Sequence, residues 1–385
     1  MDGFALLLGG VALLSLSHYF RLTPEVEGLI VSMPFIGSVV GSLIFGWLAD
    51  VLGRRAVFLN VLLFFVLGSI ISAVAYDTLL IIIGRLLVGI GIGGDIPSGA
   101  SLVAELSDRG SRGRLISIQS MLWGLGGFAA ALVAIPLLRL MGPVAWRLLF
   151  GLGAVPALIV LALRRDIDES WVWRIKRRGG GVKLGNRSRY TLVLAFTAAS
   201  LFVWTFILAI FANYTPTILV DTMRLSGAMA LLISGLQWVG FVVGGLIVFK
   251  CCDRFGRRVL VIPATIFATA LLYLSVMMTR DSPALSLLLI TLWVLGGIGY
   301  IVNSIYSAEL FPTLLRGTSN GVSFSAGRLG GFISTLILPS LLLNIGLSRV
   351  FLILAVMMTP LVLICIITAP RSENKSLEEL ERNYL

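Results

Sequence analysis

The sequence predicts an all-α integral membrane protein, with twelve transmembrane helices in two pseudo-symmetric six-helix bundles. Three observations carry that prediction. The chain of 385 residues is 58% hydrophobic and only 13% charged, whereas soluble domains carry about 25% charged and about 45–50% apolar residues. It divides into twelve apolar segments, each near the ~20 residues that a spanning helix needs. It also repeats itself. Gly46-Trp47-Leu48-Ala49-Asp50-Val51-Leu52-Gly53-Arg54-Arg55 returns, at an offset of 203, as Cys252-Asp253-Arg254-Phe255-Gly256-Arg257-Arg258. Ala104-Glu105-Leu106 with Arg112-Gly113 returns, at an offset of 204, as Ala308-Glu309-Leu310 with Arg316-Gly317. Two unrelated motifs at nearly equal offsets mark two homologous halves.

In chain order the spans are expected at about 3–20, 26–49, 56–76, 79–106, 115–138, 144–164, 190–219, 226–250, 259–279, 284–311, 317–343 and 346–369. They form a first bundle over 1–164 and a second over 190–369. A linker over 165–189, rich in Arg, Lys and Gly, joins them, and a polar tail over 370–385 includes a short surface helix from Ser376. Met1 and Asp2 stand almost at the first span with no basic tail ahead of it. That leaves the span near the ~17-residue lower limit for crossing and favours a true start further upstream.

The formal charge of +11 would suggest nucleic acid in a soluble chain, but here the positive residues lie in the turns between apolar segments. Of the 30 Lys and Arg, 22 fall on one side of the predicted topology, six on the other, and Arg85 and Arg328 inside helices. Lys and Arg accumulate on the cytoplasmic side of membrane proteins, so the linker and both termini are expected in the cytoplasm of a plasma-membrane protein. The three cysteines have neither disulfide nor metal spacing, and no phosphate-binding Gly-x4-Gly-Lys-Ser/Thr loop is present. One histidine and scattered acids do not make a catalytic cluster. No cofactor, metal, nucleic-acid partner or enzymatic activity is therefore expected. The expected partners are the bilayer, a small-molecule substrate and protons, for a chain that works as a monomer.

The repeated turn and the repeated Glu-x6-Arg-Gly resemble those of the major facilitator superfamily, over nearly the whole chain. Within it, they resemble the sugar-porter-like group and the related aromatic-acid and phosphate proton symporters. The residues that carry the resemblance are Gly46, Asp50, Gly53, Arg54 and Arg55; Gly84-Arg85 with Gly89, Gly91 and Gly93; Glu105 and Arg112; Asp253, Gly256, Arg257 and Arg258; and Glu309, Pro312 and Arg316. Gly93-Gly94-Asp95-Ile96-Pro97 is similar to a phosphate-symporter motif, and Asp2-Gly3-Phe4 to the start of an aromatic-acid-symporter motif. The second turn departs from the pattern, with Phe249-Lys250-Cys251 where the first has its glycine-led start. The resemblance implies two bundles that rock about a midplane site. It also implies that the turn Asp and Arg and the helix-end Glu form a cytoplasmic gating network. Asp50 could meet the positive end of a neighbouring helix; the arginines alone could serve topology only.

Charged groups inside the membrane cost ~2.5–3.5 kcal/mol on insertion scales, so the few present are informative. Asp95 lies near the middle of the fourth span. Its counterpart at an offset of 204 is Gly299, so a need shared by both halves does not explain it. Asp95 is the expected proton site, with a structural role at the Pro97 kink as the alternative. Arg328 lies eleven residues into the eleventh span, about 16 Å deep at ~1.5 Å per residue. Its guanidinium suits a carboxylate or phosphate, so it is the expected anion receptor; an internal ion pair is the alternative. Arg85 reads as structural first, with a coupling role implied by its family position. Asp2 is a second proton-site candidate if the helix continues upstream; if Met1 is the true start it is a solvated helix end. Trp204, Asn213, Tyr214, Gln237 and Trp238 are further substrate-site candidates. Together these predict a secondary transporter, a proton-coupled symporter of a small organic acid or phosphate. Sugar transport or export by the same fold is the alternative, and a membrane sensor or membrane enzyme is the other class.

Overall fold

A computed structural model describes residues 1–108, 110–164, 169–170, 173–175, 187–278, 283–372, 375 and 379–380. Among these residues all regular structure is helical. The helices are α1 (Asp2–Phe20), α2 (Pro24–Leu52), α3 (Arg54–Val74), α4 (Thr78–Leu106), α5 (Arg112–Met141), α6 (Ala145–Leu152), α7 (Ala154–Leu163), α8 (Arg187–Met223), α9 (Gly227–Phe255), α10 (Arg257–Met277), α11 (Pro283–Glu309), α12 (Arg316–Ile345) and α13 (Leu347–Thr368). Among the described residues ten stretches are long and apolar enough to cross a membrane. One of them, Arg112–Leu163, holds two spans separated at Gly142, and α1 is a further apolar helix. The described helices thus account for all twelve predicted spans. One span differs in form: the predicted sixth, 144–164, is two helices that meet at Gly153. Most of the predicted linker, and the start of the predicted tail helix at Ser376, lie outside the described residues.

Local chemistry sets the helix ends. Asp77 caps α4 by accepting from the Leu80 N–H at 2.8 Å, and Ser226 caps α9 through the Met229 N–H; side-chain oxygens of this kind satisfy donors that the first turn leaves free. Pro24 opens α2, where its missing N–H costs nothing. Gly53 and Gly256 alone join α2 to α3 and α9 to α10, with φ of +108° and +96°. Residues with a Cβ rarely adopt such angles, which explains the glycine at the same place in both repeated turns.

Helices pack closely where glycine removes the side chain, the usual device where no hydrophobic force drives helices together. In the first half, Gly37 and Gly41 of α2 face the α4 backbone at Leu86 and Ile90, while Gly89 and Gly93 of α4 face α2 at Pro34 and Ser38. Ser38 and Ser42 donate across this contact to the carbonyls of Gly89 (3.0 Å) and Gly93 (2.9 Å). The second half repeats it, with Gly244 of α9 against Val294 and Gly297 of α11 against Phe241. The halves meet along two related seams, α2 against α12 and α5 against α9.

Candidate functional site: a charged latch and two central cavities

The repeated motifs converge where the two halves touch. Asp50, near the end of α2, accepts from the backbone N–H groups of Gly317 (3.1 Å) and Thr318 (2.6 Å) and from the Thr318 hydroxyl (2.6 Å). It therefore caps α12, a helix of the other half, where free N–H groups and the helix dipole favour a carboxylate. Buried Arg54 pairs with Asp50 (2.6 Å) and Glu105 (3.2 Å) and donates to the carbonyl of Thr313 across the seam (2.8 Å). Arg316 of the second half reaches Glu105 at 3.1 Å. Glu105 thus holds one arginine from each half.

The second copy is built the same way. Asp253 accepts from the Arg114 N–H in the first turn of α5 (3.1 Å). Arg257 pairs with Asp253 (2.9 Å) and Glu309 (3.3 Å), and Arg112 of the first half lies 3.6 Å from Glu309. The two seams differ in tightness. A Cβ on Gly46 would come within 2.7 Å of the Gly317 carbonyl, so α2 and α12 cross backbone to backbone. The second copy has Phe249 in place of the glycine, and Arg114 lies over its ring at 4.9 Å. Arg55 and Arg258 make contacts of their own beside these pairs. The Arg55 N–H donates to Glu169 (3.1 Å), and the Arg258 guanidinium donates to the Ile366 carbonyl (2.6 Å).

Residues past the spans complete the cluster, which the sequence reading missed. Glu169 accepts from the N–H groups of Arg54 (2.9 Å) and Arg55, capping α3. Ser170 donates to Glu105 at 2.5 Å, and Ser372 donates to Glu309. Trp173 donates to the Asp50 carbonyl at 3.0 Å. The available signal was the position of Ser170 and Ser372, each just past the last span of its half.

Two cavities lie deeper. The larger, about 630 Å³, is lined by Asp2, Asp95, Gln119, Trp123, Arg164 and Tyr300 among others. Asp95 is ion-paired with Arg164, the residue after α7, and Arg164 also covers the Phe58 ring at 3.5 Å. Asp2 is buried with Oδ1 unpartnered, within electrostatic reach of Asp95, Arg164 and Arg328. The smaller cavity, about 20 Å³, is lined by Phe35, Trp123, Asn213, Trp238, Tyr300 and Arg328 among others. It holds about one water. Arg328 is 3% exposed, forms no ion pair among the described residues, and leaves Nη2 without a hydrogen-bond partner. Asp95 and Arg328 thus line different, adjoining cavities, and Trp123 and Tyr300 line both.

The other predicted residues divide. Asn213 and Trp238 line the Arg328 cavity. Tyr214 instead donates to the Thr335 carbonyl at 3.0 Å, tying α8 to α12. Gln237 is buried with Nε2 unpartnered, and Trp204 packs on Gly299; neither lines the two cavities. Arg85 donates to the Ala5 carbonyl (3.1 Å) and lies over Phe150 at 5.2 Å, without an acidic partner among the described residues.

Two glycine-packed helical bundles, joined by a mirrored charge network over a central cavity, define a multi-pass membrane transporter. The chain belongs to the family described as sugar (and other) transporter, which matches residues 16–180 and 182–384; it is a sugar-porter-like member of the major facilitator superfamily. It is 30% identical to the inner membrane metabolite transport protein YgcS of Escherichia coli K12, over 92% of this chain and 85% of that protein. It is 26% identical to the niacin transporter NiaP of Acinetobacter baylyi, over 94% and 89%. Its fold matches that of the proton:xylose symporter XylE of E. coli with a TM-score of 0.85, at 20% identity and coverage of 100% and 98%.

Proposed function

We propose that this transporter carries a small anionic metabolite, an organic acid or phosphate, together with protons by alternating access. One observation carries the anion reading: Arg328 is buried in mid-span beside a cavity, forms no ion pair among the described residues and leaves Nη2 without a hydrogen-bond partner. A desolvated, unpaired cation is costly, and a bound carboxylate or phosphate would supply the missing charge with bidentate hydrogen bonds. Asp95 and Asp2 are the proton sites of this reading, because both are buried carboxylates that line the larger cavity, Asp95 held by Arg164 and Asp2 with Oδ1 unpartnered. The resting partner of Asp95 is Arg164; protonating Asp95 breaks that pair and frees the end of α7. Arg85, with only backbone and ring contacts, positions α1 against α4. The halves 1–164 and 190–369 move as the rocking bundles, and the latch holds their Lys- and Arg-rich, cytoplasmic ends together in a monomer of the plasma membrane.

A sugar substrate is the second reading. It is favoured by the neutral polar Asn213 beside the cavity, by the family's description and by the fold shared with a xylose symporter. The deciding experiment is uptake into proteoliposomes under an inward proton gradient, with labelled carboxylates, phosphate and hexoses, for wild type and Arg328→Gln. Uphill accumulation of an anion, lost in Arg328→Gln, is the expected result. Accumulation of a hexose that Arg328→Gln leaves intact refutes the anion reading.

A further inference from the structure

Trp123 belongs to α5 of the first half and Tyr300 to α11 of the second. Their rings stack across the interface, with centroids 6.0 Å apart and planes 16° from parallel. They are the wall between the two cavities, since both line the larger and the smaller one. Neither wall residue has its polar end committed to the other half. Trp123 Nε1 is buried without a hydrogen-bond partner, and no described hydrogen bond crosses from Tyr300 to the first half. On one side of the wall stands Arg328, with Nη2 unpartnered; on the other stands Asp2, with Oδ1 unpartnered.

From this geometry we infer that Trp123 and Tyr300 are a specificity-determining clamp that grips a flat ring between them while Arg328 holds the ring's carboxylate. A flat ring seated between two others needs their planes ~7 Å apart, twice the ~3.5 Å contact distance of carbon atoms. The centroid separation of 6.0 Å sets the upper limit on the present plane spacing. The clamp must therefore widen by at least ~1 Å. Because its jaws sit on opposite halves, a small parting of the bundles supplies that motion without unpacking either one. The same parting joins the small cavity to the large one, so a ring in the clamp brings its carboxylate on Arg328 and the acids Asp2 and Asp95 into one chamber. Trp238 extends the apolar surface, 4.8 Å from Trp123 edge to face. A puckered ring or a short chain of equal charge finds Arg328 but not the two parallel faces.

This inference rests on the anion reading of Arg328, and its test separates the two. Benzoate and cyclohexanecarboxylate carry the same carboxylate on a flat and a puckered ring of similar size. Uptake of both is measured in proteoliposomes holding wild type, Tyr300→Phe, Tyr300→Leu and Trp123→Leu. Two such ring contacts predict a preference of wild type for benzoate of at least about fivefold. Tyr300→Phe keeps the preference. Tyr300→Leu and Trp123→Leu lose it while still carrying cyclohexanecarboxylate, which shows that the variants fold and transport. Equal uptake of both acids by wild type, or a benzoate preference that survives in Tyr300→Leu, overturns the clamp and leaves the anion reading standing. Uptake of neither acid, with a hexose carried instead, overturns both.

Discussion

Asp50→Asn removes one charge from the carboxylate that ties α2 to a helix of the other half. Asp50 makes four bonds of 2.6–3.1 Å, one to Arg54 and three to the first turn of α12. Asparagine keeps one acceptor oxygen but loses the charge-assisted bond to Arg54, worth about 1.5–3 kcal/mol. It also loses the attraction to the helix terminus, worth about 0.3–2 kcal/mol. The total, about 2–5 kcal/mol, agrees with the ~3–5 kcal/mol typical of removing one partner of a buried pair. Only the latched arrangement makes the three bonds to α12, whereas the Arg54 pair lies within the first half, so the loss that falls on that state is the one at the helix terminus. A shift of about 1–2 kcal/mol lowers its share against the open form by roughly 5- to 30-fold.

The assay is a spin-label distance between Leu52→Cys and Phe255→Cys, which are 59% and 55% exposed at corresponding ends of the two halves. The native Cys251, Cys252 and Cys365 are replaced by Ser in this background. Wild type should give a single distance, and Asp50→Asn a second, longer population. Thr318→Val added to Asp50→Asn should cost less than the sum of the two, because both act on one contact. An unchanged distance distribution in Asp50→Asn, with an intact fold, would refute the assignment of this contact as a latch.

Further outcomes follow from the same structure. Glu105→Gln leaves Arg54 and Arg316 facing each other without their shared carboxylate and should destabilise the latched state by about 3–5 kcal/mol. Glu309→Gln should cost less, since its cross-half pair is longer, 3.6 Å against 3.1 Å; thermal melts and the distance assay compare the two. Gly317→Val places a side chain against the Gly46 carbonyl and the Asp50 carboxylate, where a Cβ would stand at 2.6 and 2.8 Å. It should favour the open population even with every charge in place. Gly53→Ala forces a Cβ onto a φ of +108° and should lower stability by about 1–3 kcal/mol, readable as a drop in melting temperature.

Much of the fold was legible because the bilayer constrains it strongly. Segment length and the repeat at offsets of 203 and 204 reveal the spans and the two halves, and the glycine of each turn announces a backbone that only glycine adopts readily. The break at Gly153 was not legible, since one glycine in an apolar run reads like any packing glycine. The residues of the charge network were visible as a repeated pattern. The cap that Asp50 places on α12 was visible only as a tendency, because the helix it meets lies 267 residues away. Arg164 reads as the basic end of the sixth span, and its pairing with Asp95 depends on how α7 runs beside α4. Trp123 and Tyr300 carry no charge and sit in glycine-rich apolar runs, where an aromatic ring looks like ordinary packing. Tyr214 carries a polar group for a different reason, a helix-to-helix bond at Thr335.

The central claim is that an anion on Arg328 moves together with a proton taken by the Asp95–Asp2 pair. The most direct measurement is the internal pH of proteoliposomes, followed with a trapped dye, when the transported acid is added outside with no imposed gradient. The account predicts substrate-driven acidification of the interior. Asp95→Asn should abolish it while still exchanging labelled for unlabelled substrate. Substrate entry without acidification in wild type, or acidification that persists undiminished in Asp95→Asn, would contradict it.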